Sequence, residues 1–253
     1  MIWSLPSPDL RLLVHPQKGE NINKTRIDYL DATLNIIIGC TGEGCAVIKA
    51  CWAKKQAKRR RGKCKDDRCY RFIPHDHPER LAEPLHVRKP KRIGLNFSGE
   101  TFDNAFENRG YIWRGICGMM RQASWHTFVV LTKQPQNIPE DENFPLPSNL
   151  WLGVSVNNNA DLWRIDELRK TGATVKFVSF EPLQEDLGVV NLDGIQWIII
   201  GAQTRPDVQP KAEWVTSLML QCKERGIKIF MKNNLKGWSS LLREYPKPFS
   251  SFN

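Results

Sequence analysis

Three cysteines crowd one glycine-rich stretch, Gly39-Cys40-Thr41-Gly42-Glu43-Gly44-Cys45-Ala46-Val47-Ile48-Lys49-Ala50-Cys51. Three thiolates on one loop can hold three irons of a cubane cluster and leave the fourth iron open to a substrate or cofactor. Gly39, Gly42 and Gly44 let the backbone wrap closely around such a group. A structural zinc site wants a fourth protein ligand and tighter, two-residue spacings, and neither gap here is tight. Cys40, Cys45 and Cys51 therefore read as a metal centre of one kind or the other. A second donor group follows in Cys64, Cys69, His75 and His77. Two cysteines and two histidines are an acceptable zinc set, although the spacing is not that of a zinc finger. The group reads as a possible second metal site, or as the source of a ligand missing from the first.

Seven cysteines, five of them within residues 40–69, suit a cytosolic metal-binding chain better than a disulfide framework. Cys117 and Cys222 fall in helical patterns and read as small buried hydrophobes. The chain of 253 residues carries a net charge of +10 and a pI near 9.3, so its surface attracts polyanions such as nucleic acid or phosphorylated small molecules. Much of the excess lies in Lys54, Lys55, Lys58, Arg59, Arg60 and Arg61, which read either as a solvated helix face or as a phosphate-contacting patch. With 41% hydrophobic and 25% charged residues, disorder, collagen-like repeats and a coiled-coil rod are excluded. The mean hydropathy is negative and the longest apolar runs are strand-sized, so no membrane span and no export signal are expected. A cytoplasmic location follows as the expectation.

The elements that position these groups read as repeated β-α units. Short β-rich runs stand at 34–38, 92–97, 127–131, 150–156, 174–180, 196–200 and 227–231, with helical patterns at 102–122, 160–170 and 212–225. Such units force a parallel sheet with right-handed crossovers, as a closed or partial barrel or as a doubly wound sheet. Polar residues follow each run, among them Cys40, Ser98-Gly99-Glu100, Thr132, Ser155, Ser179, Glu181, Gln203 and Lys232. Converging strand ends of this kind would make a polar mouth on an apolar barrel, where active sites of such folds are built. Residues 1–29 read as an N-terminal extension, 30–238 as a single barrel domain with 51–90 inserted after its first strand, and 239–253 as a C-terminal tail.

The run from Asn35-Ile36-Ile37-Ile38-Gly39-Cys40 to Cys51-Trp52-Ala53, followed by a basic helix, resembles an uncharacterised phage and prokaryotic family related to radical S-adenosylmethionine enzymes. The likeness continues in order through His77-Pro78-Glu79-Arg80-Leu81, Glu83-Pro84-Leu85, Leu131-Thr132-Lys133-Gln134-Pro135, Trp151-Leu152-Gly153-Val154-Ser155-Val156, Phe180-Glu181-Pro182-Leu183 and Lys232. The resemblance implies a partial β/α barrel of the radical S-adenosylmethionine type. It implies a four-iron, four-sulfur cluster on Cys40, Cys45 and Cys51, with S-adenosylmethionine chelating the open iron. Carried over by position, Ser98, Gly99 and Glu100 would lie near the methionine amino end of the cofactor. Thr132 and Ser155 would meet its polar groups, and Glu181 and Lys232 would be catalytic. Two departures stand out. Five residues separate Cys45 from Cys51 and Trp52 follows, where the family has two residues and a Tyr, and Gly201-Ala202-Gln203-Thr204 replaces a Gly-Gly-Glu-Ser.

Three functions follow as expectations. The first is a radical S-adenosylmethionine enzyme acting on an anionic substrate, DNA or RNA among the candidates, served by an electron donor such as ferredoxin or flavodoxin. The second is a non-catalytic, zinc-stabilised nucleic-acid-binding protein using the basic patch with Trp52, Tyr70 and Phe72 as stacking groups. The third, a hydrolytic barrel with Glu100 and Glu181 as acid and base, leaves the cysteines unexplained.

Overall fold

Short runs of Val, Ile, Leu and aromatic residues, each closed by a polar or glycine-containing turn, suit strands buried on both faces of a parallel sheet. In the computed structural model, which describes residues 22–59, 61–106, 109–139 and 144–247, these runs align in one sheet. In chain order the strands are β1 Asn23–Lys24, β2 Ala32–Leu34, β3 Ile37–Ile38, β4 His75–Asp76, β5 Arg92–Leu95, β6 Thr127–Thr132, β7 Leu150–Ser155, β8 Val175–Phe180, β9 Trp197–Ile200, β10 Gln203–Thr204, β11 Asp207–Val208 and β12 Lys228–Met231. The helices are α1 Trp52–Arg59, α2 Arg68–Arg71, α3 Arg109–Gln122, α4 Trp163–Lys170 and α5 Ala212–Glu224.

The main sheet runs β1-β2-β5-β6-β7-β8-β9-β12, all parallel except the β1–β2 pair. From β2 onward its order rises with the chain and never reverses, whereas a doubly wound sheet reverses at a switch point and carries helices on both faces. Ile112 and Trp113 of α3, Ile165 and Leu168 of α4, and Val215 and Leu218 of α5 all enter one core with Phe128, Val130, Leu152, Val154 and Ile198. Alternate residues of the same strands, Val129, Trp151, Phe177, Trp197 and Phe230, form a second cluster with Tyr29 and Leu30 and no helical residue. Helices α3, α4 and α5 thus pack on one face, and the inner face is filled by rings. Gly153 makes room there, since a Cβ on it would lie 2.4 Å from the Phe177 ring. Among the described residues no strand pairing joins β12 to β1 or β2, so the sheet is an open, singly wound α/β domain without barrel closure.

The structure corrects two boundaries. The expected first strand at 34–38 is broken in two, because the Asn96 side chain accepts the backbone N–H groups of Ile36 and Ile37, each at 2.9 Å. The chain leaves the sheet there, and β3 pairs antiparallel with β4, which lies within the expected insertion, as a separate ribbon. The helix expected from 102 begins only at Arg109, since Asp103 turns back to hold Thr41. The described residues nearest the two chain ends pack on the domain. Tyr29 is buried against Trp197, Met231 donates its N–H to Leu242, and Tyr245 packs on Phe230 at 5.4 Å between ring centroids. Among the described residues no helix is long and apolar enough to cross a membrane.

Candidate functional site

The three-cysteine loop leaves β3 at the carboxyl end of the sheet and runs beside the loop after β5. Gly39 and Gly99 form an isolated parallel bridge, in which Gly39 donates to the Ser98 carbonyl at 3.1 Å and Glu100 donates to the Gly39 carbonyl at 3.1 Å. Ser98, Gly99 and Glu100 therefore run beside Gly39, the residue before Cys40. Gly39, Gly42 and Gly44 all take positive φ, and tight turns follow, with Cys45 donating to the Gly42 carbonyl and Cys51 to that of Ile48. Cys40, Cys45 and Cys51 are half-buried and free of disulfides. Burial pushes the Cys40 thiol up to about 12, and Cys51, Glu100 and Asp103 nearby add to the rise. Alone such a thiol stays protonated; a bound metal reverses that preference and deprotonates it.

Arg164 joins this loop to the sheet. Its guanidinium donates to the Gly44 carbonyl at 2.5 Å and the Ser155 carbonyl at 2.8 Å, and pairs with Asp161 at 2.8 Å. Ser155 and Ser179 are register partners on adjacent strands, at the polar end of the inner, ring-filled face. Among the described residues, the Ser179 hydroxyl and the Asn157 side-chain oxygen are buried there without a hydrogen-bond partner. Glu181 and Lys232 form an ion pair at the ends of β8 and β12. Cys40, Cys45 and Cys51 are three half-buried thiols on one loop, the ligand type that an iron–sulfur cluster takes.

Thr132 departs from the expected lining. It shares the helix-side face with Phe128 and Val130, and its hydroxyl donates to Glu100 at 2.5 Å. Glu100 also accepts the N–H groups of Lys133 at 2.9 Å and Phe102 at 3.2 Å, while its burial raises the carboxyl above its ordinary range. With Glu100 so held and Glu181 paired to Lys232, the two carboxylates do not form the free acid–base couple of a hydrolytic barrel.

The Cys–His group converges more tightly. Ligand atoms of Cys64, Cys69 and His77 lie within 4.8 Å of one another and could hold a metal ion. The fully buried His75 stands beside them, with its Nε2 3.2 Å from the Cys69 sulfur and 3.0 Å from His77 Nε2 but outside the set of atoms that all lie within 4.8 Å of one another. Burial pushes the Cys69 thiol up to about 12, with the Cys64 thiol adding to it, and lowers His77 below its ordinary value.

On α1 the residues Ala53, Gln56 and Ala57 turn toward a cavity of about 420 Å³ that Cys64, Cys69 and Ser98 also line. Lys54, Lys55, Lys58 and Arg59 are exposed, as is Arg61 beyond the helix; Arg60 lies outside the described residues. Lys49, Lys54, Lys55 and Lys58 line a groove of about 370 Å³ against Cys51. Trp52 is 55% exposed beside it, whereas Phe72 is buried and unable to stack on a ligand. Arg61 stacks instead on Tyr70, 5.2 Å from the ring centroid.

The model of a family described as a protein of unknown function, DUF5131, matches residues 24–243. The chain belongs to that family. Its match spans the main sheet from β2 to β12 and both donor groups. No curated protein and no solved structure matches the chain. Within this family member, Asn96, Asp103 and Arg164 are the site residues that sequence reasoning misses. Asn96 interrupts an apolar run, and Asp161 and Arg164 stand at helical i,i+3 spacing; both are signals a reader could have used.

Proposed function

We propose that this chain is a radical S-adenosylmethionine enzyme acting on an anionic substrate, with nucleic acid the favoured class. The observation that carries the reading is the placing of Cys40, Cys45 and Cys51 on one glycine-rich loop at the carboxyl end of a singly wound parallel sheet, tied through Arg164 to the polar end of β7. Cys40, Cys45 and Cys51 would hold a four-iron, four-sulfur cluster. When bound, the cluster and S-adenosylmethionine together supply reductive cleavage of the cofactor to methionine and a 5'-deoxyadenosyl radical. The chain's own residues bind and orient. The Gly39–Gly99 bridge fixes the loop, and Ser98, Gly99 and Glu100 would border the cofactor's amino end. Ser155, Ser179 and Asn157 offer hydrogen bonds to its polar groups or to substrate. Lys232, held by Glu181, places a positive charge at the strand ends, and the inner-face rings exclude water below. Lys54, Lys55, Lys58 and Arg59 contact the substrate's phosphates beside Cys51. An acidic one-electron donor such as a ferredoxin or flavodoxin completes the system, in the reducing cytoplasm that seven free thiols suit.

Purification without oxygen followed by iron and sulfide analysis tests this. About four of each per chain are expected, with 5'-deoxyadenosine released on reduction in the presence of S-adenosylmethionine. Cys40→Ala, Cys45→Ala and Cys51→Ala should each lose the iron, while Cys117→Ala keeps it. Absence of iron and sulfide after anaerobic reconstitution sinks the proposal. The Cys64–Cys69–His77 convergence beside a basic helix favours one second reading, a non-catalytic nucleic-acid-binding protein stabilised by zinc. Zinc without a cluster, together with retained polyanion binding, would select it.

A further inference from the structure

His75 and His77 meet with their Nε2 atoms 3.0 Å apart, and each Nε2 lies 3.2 Å from the Cys69 sulfur. Their other nitrogens decide where the ring protons sit. His75 Nδ1 is 2.7 Å from the Ile73 carbonyl and His77 Nδ1 is 2.8 Å from a Glu79 carboxylate oxygen, both pure acceptors. Each Nδ1 therefore carries the proton, and in the neutral rings both Nε2 atoms present lone pairs to one another. One S–H on Cys69 can serve one of these nitrogens and not both. A shared cation satisfies all of them at once.

We infer that Cys64, Cys69, His75 and His77 bind one zinc ion in a closed tetrahedral site, a structural clip that holds the inserted segment against the three-cysteine loop. Ligand lengths of about 2.0 Å for nitrogen and about 2.3 Å for sulfur make tetrahedral edges of roughly 3.3 Å between nitrogens and roughly 3.6 Å between nitrogen and sulfur. The apposed atoms already stand within a few tenths of an ångström of that spacing, and the Cys64 sulfur lies within 4.8 Å of Cys69 and His77. Two thiolates and two imidazoles are a closed zinc set with no position left for a substrate. The carbonyl and the carboxylate behind the two histidines are the outer partners that such ligands use to fix ring orientation.

The position of the clip gives it a task. His75 pairs with Ile38 in the β3–β4 ribbon, and His77 donates its N–H to the Ile36 carbonyl at 2.7 Å. The Ile73 carbonyl that orients His75 also abuts Gly39, where a Cβ would come within 2.4 Å of it. Zinc therefore fixes the floor against which Gly39 and Cys40 are laid. The ligands are separate from Cys40, Cys45 and Cys51, so the inference stands apart from the radical reading.

Zinc per chain, measured on the full-length protein, is the first test, and one equivalent is expected. After chelation, titration of the wild-type protein with cobalt(II) should give the visible bands of tetrahedral sulfur–nitrogen ligation, a readout that needs no variant to fold. Glu79→Ala, at a largely exposed position, should weaken zinc roughly 10-fold or more by freeing the His77 ring. Cys64→Ser should lose zinc, and the triple variant Cys40→Ala, Cys45→Ala, Cys51→Ala should keep it. Octahedral cobalt spectra, zinc absent from the wild type with none taken up, or zinc lost only in the triple variant would overturn the inference. Zinc present with no iron cluster would overturn the radical reading alone.

Discussion

Gly99 lies so close to Gly39 that a Cβ on Gly99 would stand 2.6 Å from the Gly39 carbonyl oxygen and 2.8 Å from its nitrogen. Both obstacles are backbone, so neither can rotate aside, and relief requires moving the chain that leads into Cys40. Gly99→Ala should cost about 1–3 kcal/mol, the ordinary range for overpacking, and should lower iron incorporation on reconstitution. Gly118→Ala on α3 is the control, because its Cβ would meet nothing within 4 Å. There the gain in helix propensity should leave the melting temperature unchanged or raised. Equal melting temperatures and iron contents for Gly99→Ala and wild type would refute the close-approach argument.

Arg164 and Asp161 are almost wholly buried, and the pair links α4, β7 and the Gly44 turn. Arg164→Met removes the cation and leaves the carboxylate unpaired, for which a loss of roughly 3–5 kcal/mol is expected. Adding Asp161→Asn removes the stranded charge, so the double variant should be more stable than the sum of the two single losses. Urea unfolding of the four proteins measures this cycle. Strict additivity would show that the ion pair contributes nothing specific.

Strand content is legible in the sequence because each buried strand is a short apolar run closed by a polar residue. The position of Ser155 and Ser179 at one end follows from the same pattern. What is not legible depends on distant side chains. The break after Leu34 is made by Asn96, sixty residues from Ile36, and the late start of α3 by Asp103 reaching back to Thr41. Thr132 is misread because one residue of strand phase decides its face, and a run of apolar residues on both faces carries no phase signal. The Cys–His donors are visible as residue types, but their irregular spacing hides the convergence that the β3–β4 pairing produces.

His126 is buried with both ring nitrogens engaged: Lys91 donates its backbone N–H to Nδ1 at 3.1 Å, and Nε2 faces the Pro84 carbonyl at 3.1 Å. The neutral ring satisfies both, whereas a second proton would set a donor against the Lys91 N–H. Burial is the main cause that holds its pKa below the ordinary value, with the positive charge of Lys91 adding to the effect. The unfolded chain then binds the proton more readily. The His126 contribution is complete above a pH of about 6.5 and is lost as pH falls from there toward the lower folded value. His126→Gln keeps a donor and an acceptor without titrating. The stability difference between wild type and this variant, from urea midpoints at pH 7 and pH 5, should shift against the wild type at the lower pH. A difference independent of pH would contradict the assignment.

The lysines of α1 stand beside Cys51 rather than scattered over the surface, so their effect should be electrostatic and local. Each phosphate contact to duplex DNA contributes about 0.9 to the slope of log affinity against log salt. Lys54→Gln, Lys55→Gln and Lys58→Gln together should therefore reduce that slope by roughly 2 to 3 in fluorescence titrations with a DNA duplex. All three side chains are exposed, so the melting temperature should hold. Trp52→Ala should act differently, weakening single-stranded more than duplex binding by removing a stacking ring. An unchanged salt slope in the triple variant would move the anion-binding surface away from the cluster loop, and with it the argument that the substrate is held by α1.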